Sequence, residues 1–108
     1  MSTLTIDTPI TVRAQNVIIT DDALIVDLVD GRTISVPLAW YPRLFYGKPE
    51  ERSQWRFIGQ GEGIHWPDLD EDISVEGLQA GRPSNESQRS FKHWLEERSL
   101  KNKNLEII

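Results

Sequence analysis

Asp68, Asp70 and Asp72 stand at alternate positions, the spacing with which a calcium-binding loop begins. Carboxylate oxygens suit a hard cation. Such a loop also needs glycine at its sixth position, for the sharp turn, and a bidentate glutamate at its twelfth. Ile73 and Gln79 stand there instead, so the segment reads as a solvated acidic loop or a partner contact. His65, three residues before Asp68, could be drawn as a general base with Asp68 as its orienter. The nucleophile would then have to be Ser35, Ser53 or Ser74, and none lies in a nucleophile-elbow sequence. A structural imidazole, hydrogen-bonded beside Trp66, is the favoured reading of His65. His93 lies among polar helix positions, far from His65 in sequence. Gly59, Gly61 and Gly63 are followed by no Lys-Ser/Thr pair and lack dinucleotide spacing. Glu62 and the acids beyond would repel phosphate, so these glycines read as a turn with unusual backbone angles. Cysteine is absent, which excludes disulfides, thiolate metal sites and cysteine nucleophiles.

The elements that would carry these residues begin with a period-two pattern from Val12 to Leu38. Val17 and Ile19 share one face of a first strand, Leu24, Val26 and Leu28 of a second, and Ile34, Val36 and Leu38 of a third. A two-residue loop at Asp21-Asp22 pairs Ile19 with Leu24 and Val17 with Val26, keeping the apolar faces together. The same loop length at Asp30-Gly31 would set Ile34 opposite Asp27. A three-residue loop, Val29-Asp30-Gly31, instead pairs Val26 with Ile34 and Leu24 with Val36. It places Gly31 in the left-handed position of a bulge. Pro37 marks a sheet edge or a strand end. Trp40 to Gly47 reads as a short helix with Pro42 in its first turn and Gly47 as its C-cap. Pro49-Glu50-Glu51 opens another. Phe57-Ile58 reads as a short strand and Ile64 to Pro67 as extended. The segment from Asp72 to Leu78 fits either a strand or a helical turn. Gly81 to Ser84 reads as a linker, after which Asn85 and Gln88 can cap a final helix. Phe91, Trp94 and Leu95 make its short apolar stripe, interrupted by Arg98.

The expected fold class is therefore α+β, a three-stranded antiparallel β-meander packed with short helices, plus a C-terminal helical extension. Residues 1–82 form the small domain, and residues 83–108 the linker and C-terminal helix or tail. No apolar run approaches the ~18 residues of a membrane span. Met1 to Pro9 lacks the basic start and apolar stretch of a signal peptide, so a cytoplasmic location is expected. The net charge is −5. Residues 1–82 hold 13 acids and 7 bases, and residues 83–108 hold 4 acids and 5 bases. An acidic body repels phosphate backbones, so no direct nucleic-acid binding is expected. Such a body would steer the encounter with a basic protein.

The run Asp30-Gly31-Arg32-Thr33-Ile34-Ser35-Val36-Pro37-Leu38-Ala39-Trp40-Tyr41-Pro42-Arg43-Leu44 resembles a small bacterial family, domain of unknown function 2442. So do Trp55 to Pro67 and its continuation through Asp68 to Leu78, and the resemblance spans roughly residues 13–82. It implies a compact α+β fold led by an antiparallel meander, and no established reaction. The positions carrying the structural motif are Gly31, Pro37, Trp40, Pro42, Arg43, Gly61, Gly63 and His65. Some similar proteins sit in two-gene, toxin–antitoxin-like pairs as the antitoxin member. Others are fused to a helix-turn-helix domain, for which the 25 residues after Pro83 are too few.

The expected function is a small non-enzymatic protein–protein interaction domain, antitoxin-like or adaptor, that binds a small basic partner such as a cognate toxin-like protein. Homo-oligomerisation is compatible with it, and no cofactor, metal or membrane is called for. Asp68, Asp70, Glu71, Asp72 and Trp66 on the body, with Phe91, Trp94 and Leu95 on the helix, are the expected partner-binding residues. One alternative is a transcription-regulatory accessory that reaches DNA only as a complex or oligomer. Another is a metal-binding or enzymatic role through the His65/Asp68 loop.

Overall fold

The computed structural model describes residues 12–107, and the side chains of residues 12–101. The reading of Met1 to Pro9 lies outside the described residues. The chain forms two three-stranded antiparallel sheets with short helices between and after them. The first is the expected meander: β1 (Ala14–Ile19), β2 (Ala23–Leu28) and β3 (Thr33–Pro37). Ile19 pairs with Leu24 and Val17 with Val26 across the Asp21-Asp22 turn. Val26 pairs with Ile34 and Leu24 with Val36 across the next turn. Leu28 N donates to Arg32 O at 2.8 Å, and Gly31 has φ 98°, so the odd loop aligns the two apolar faces as expected. Pro37 ends β3, an edge strand, where its missing N–H costs no ladder bond.

Beyond Pro37 a 3-10 turn leads into α1 (Pro42–Phe45) and α2 (Pro49–Arg52), each opened by proline at its first position. The C-cap of α1 is Tyr46, with right-handed angles and its N–H donating to Pro42 O at 2.9 Å, rather than Gly47 as expected. At Gly47 the lack of a side chain serves packing: a Cβ there would lie 2.9 Å from the Leu69 methyl carbons.

The second sheet, β4 (Arg56–Ile58), β5 (Gly63–Trp66) and β6 (Glu71–Ser74), goes beyond the expected meander. The segment that fitted either strand or helix is both in turn. β6 ends at Ser74, whose Oγ accepts Gly77 N–H at 2.9 Å and so caps α3 (Val75–Gln79). The sheets are joined where Ala14 N donates to Gly61 O at 2.7 Å. Gly61 has φ 98°, and a Cβ would come within 2.4 Å of Ala14 O, so only glycine fits. One core runs through both sheets, with Leu24, Val26, Leu38, Leu44, Ile64, Trp66, Leu69 and Val75 fully shielded. The last helix, α4 (Gln88–Ile107), is capped by Ser87 rather than Asn85: Ser87 Oγ accepts Ser90 N–H at 3.1 Å.

Candidate functional site

A cleft of about 640 Å³ opens where β6 and α3 meet the segment leading into α4. Its lining includes Tyr41, Arg43, Asp70, Glu71, Asp72, Arg82, Asn85, Glu86 and Ser90. Four of these are carboxylates and two are guanidiniums. Arg43, the second residue of α1, is held across the cleft by Glu86. Its Nε donates to both Glu86 oxygens at 3.0 Å, and its Nη2 to Oε2 at 2.5 Å. Its Nη1 donates to Asp70 O at 2.9 Å. Ser90 Oγ adds a bond to Glu86 at 2.7 Å. Burial pushes the Glu86 carboxyl up, but the bonds from Arg43 and Ser90 outweigh it and hold it below its usual range. The same pairing raises Arg43 further.

Glu71 is different. It is half-buried, and burial pushes its carboxyl up to about 7. The Asp72 backbone N–H, donating at 3.1 Å, and the charge of Arg43 pull the other way without restoring it. Glu71 is therefore a carboxyl held near half-ionised at neutral pH. Tyr41 is buried, and its hydroxyl donates to Arg82 O at 2.9 Å. Ser84 N donates to Trp40 O at 3.0 Å. The expected linker is thus strapped to the body and forms one wall of the cleft.

The three aspartates do not converge. Asp68 is exposed, Asp70 is 88% exposed with φ 51°, and Asp72 bonds the His65 Nδ1 from the facing position on β5. Among the described residues no group of three or more His, Cys, Asp and Glu could hold a metal ion. His65 thus pairs with Asp72, its cross-strand neighbour, and not with Asp68, because β5 and β6 are antiparallel and in register there. Trp66 is not a contact for a partner. It is fully buried in the core, and its indole N–H donates to Arg52 O at 3.0 Å.

The α4 stripe also faces the body. Trp94 is 8% exposed, and Phe91 and Leu95 are half-buried against the core. Phe91 stacks on Trp94 at 5.7 Å and meets Tyr46 at 5.3 Å. The Arg43 and Arg98 guanidiniums lie 5.3 and 4.6 Å from the Trp94 ring centroid. Arg98, read as an interruption of the stripe, donates to both carboxylate oxygens of Glu51 at 2.8 and 3.0 Å. The helix therefore binds its own body through the residues expected to bind a partner. The sequence signal available for this was the i, i+4, i+7 spacing of Trp94, Arg98 and Lys101, which only the body's charges could have made specific.

Two three-stranded antiparallel meanders with an acidic cleft at their edge define an α+β domain. The chain belongs to the family described as protein of unknown function DUF2442, matched over residues 14–84. It is similar to a protein of unknown function from Rhodospirillum rubrum, whose crystal structure is 30% identical with a TM-score of 0.61. That match covers 71% of this chain and 95% of the other. It also shares its fold with an uncharacterized protein from Chromobacterium violaceum known from solution NMR. That chain is 19% identical with a TM-score of 0.59, covering 75% of each. None of the curated proteins matches it. No helix among the described residues is long and apolar enough to cross a membrane.

Proposed function

We propose that this chain is a non-enzymatic protein–protein interaction domain, antitoxin-like or adaptor in use, that takes a basic segment of a small cytoplasmic partner into its acidic cleft. The supporting observation is the unequal charge of the cleft: Asp70, Glu71, Asp72 and Glu86 against Arg43 and Arg82. Arg43 is already neutralised by Glu86, and Asp72 by any charge on His65. Asp70, 88% exposed and only loosely paired with Arg43 at 3.5 Å, and Glu71 are the carboxylates left to meet an incoming cation. A lysine or arginine placed there would restore a full charge to Glu71 and be held by it. Exposed carboxylates such as Asp70 at the cleft and Asp68 elsewhere on the body would speed the encounter at low salt.

The test is calorimetric titration with a short arginine-rich peptide and its acidic counterpart. Binding of the basic peptide alone is expected, weakened by salt and by Asp70→Asn with Glu71→Gln. Equal binding of both peptides, or indifference to those substitutions, would sink the reading.

A further inference from the structure

We propose that the body groove filled by α4 is a helix-recognition site, occupied in cis by the chain's own helix and open in trans to the α4 of a second copy. The groove and the helix carry reciprocal charges. The body offers Arg43 to Glu86, and the helix offers Arg98 to the body's Glu51, with Trp94 between the two guanidiniums. Tyr46 receives Phe91 beside them. An indole at one position, an aromatic ring three residues before it and an arginine four residues after it form the recognised pattern. This is the spacing with which one helix face enters a groove.

Three observations make α4 an occupant rather than an inseparable part of the core. The family match ends at residue 84, before α4 begins. The Rhodospirillum rubrum chain is covered over 95% of its length by a match to only 71% of this one, so a chain of this fold stands with fewer residues than this one has. Among the described residues the helix engages through one stretch: Glu86 to Arg98 hold the body, whereas Leu100 is already 60% exposed. A tethered helix competes with a free one at an effective concentration of order millimolar, so the cis state prevails until its grip is loosened or the protein is concentrated. Exchange between two copies would keep every contact and reverse only its source. This inference shares the Arg43–Glu86 pair with the cleft proposed above but rests on the docking of Trp94 and Arg98 and uses no Glu71 chemistry.

The experiment uses the full chain and a fluorescent peptide of residues 86–101. Arg98→Glu sets like charges against Glu51 and loosens the cis helix while leaving the groove intact. The peptide is expected to bind this variant at least about tenfold more tightly than the wild-type chain. Adding Glu51→Arg to the variant restores its cis pair with the charges reversed, and peptide binding is expected to be lost. A companion variant, Trp94→Ala, vacates the groove differently and should bind the same peptide. Sedimentation of the wild-type chain should show a monomer–dimer equilibrium that the Arg98→Glu chain loses. Arg98→Glu and Trp94→Ala chains with native circular dichroism that fail to bind the peptide would overturn the proposal. So would a wild-type chain that stays monomeric at millimolar concentration.

Discussion

Arg98 of α4 and Glu51 of α2 form a two-pronged ion pair across the helix–body junction, at 2.8 and 3.0 Å. Their side chains are 23% and 19% exposed, so solvent screens the pair only in part. Glu51 also accepts the Lys48 backbone N–H at 2.8 Å, which fixes its carboxylate before Arg98 arrives. A double-mutant cycle with Arg98→Ala and Glu51→Ala is expected to give a coupling of about 1 kcal/mol, above the level of exposed pairs. Hydrogen bonding from Arg98 holds the Glu51 carboxyl below the 4.5 of an unperturbed glutamate. The coupling is therefore present above that value and lost as pH falls through the lowered one. Urea denaturation of the four chains at neutral pH and near pH 3 measures both, and a coupling unchanged by acid would contradict the assignment.

Gly31 and Gly61 share φ 98° but should respond differently to alanine. A Cβ at Gly31 meets nothing within 4 Å, so Gly31→Ala bears backbone strain alone, roughly 1 kcal/mol. At Gly61 the same Cβ would strike Ala14 O at 2.4 Å and break the Ala14 N–Gly61 O bond that ties the sheets. Gly61→Ala is expected to cost roughly 3 kcal/mol or more. Thermal denaturation of the two variants should rank them in that order, and equal midpoints would refute the distinction.

The first meander was legible because its turns could be checked against its apolar faces, and one register survived the check. The second sheet offered no such test. β4 is three residues long, and β6 buries only Ile73 between Asp72 and Ser74. Its strands are defined by pairing with β5 and not by a period of their own. The cleft was less legible still. Asp70, Glu71 and Asp72 were visible as an acidic run, but Arg43 and Glu86 meet over a separation of 43 residues. Phe91, Trp94 and Leu95 read as a short stripe interrupted by Arg98, and their docking on the body was not legible because Arg43, Tyr46 and Glu51 supply the rest of the interface.

Calcium provides a direct check on the acidic run. Asp72 is committed to His65 and the Asp70 carboxylate leans toward Arg43 at 3.5 Å, so the three carboxylates do not converge on one cation. Calorimetry at physiological ionic strength is expected to show no stoichiometric micromolar binding. Tight binding abolished by Asp70→Asn would mean that the loop rearranges around the ion.

Glu71 should give stability an unusual pH dependence. Its folded-state carboxyl sits near 7, above the 4.5 of an unperturbed glutamate, chiefly because of burial, with Glu86 and Asp72 adding to the rise. Below 4.5 both states bind the proton. Between 4.5 and 7 the unfolded chain releases it first, so this group's contribution to folding falls as pH rises through that window. Glu71→Gln removes the ionisation and is expected to stabilise the chain on the order of 1 kcal/mol at pH 8, with no gain at pH 4. Denaturation midpoints across that range measure it, and a gain independent of pH would show that Glu71 is not the titrating group.

The α4 anchors should contribute unequally. Trp94 is almost wholly covered and has a guanidinium near its ring on the body and another on its own helix, whereas Phe91 is half-buried against Tyr46 and Trp94. Trp94→Ala is expected to cost about 3 kcal/mol, near the lower end for a buried tryptophan because the helix can lift away. Phe91→Ala should cost about 1 kcal/mol, in proportion to its smaller buried area. Truncation after Ser84 removes both, together with the Arg43–Glu86 and Arg98–Glu51 pairs, but leaves both sheets and the Ser84–Trp40 backbone bond. The truncated chain should therefore keep a cooperative thermal transition at a lower midpoint, close to that of Trp94→Ala. Loss of cooperativity on truncation, with Trp94→Ala still folded, would mean that α4 supports the body through contacts other than its indole.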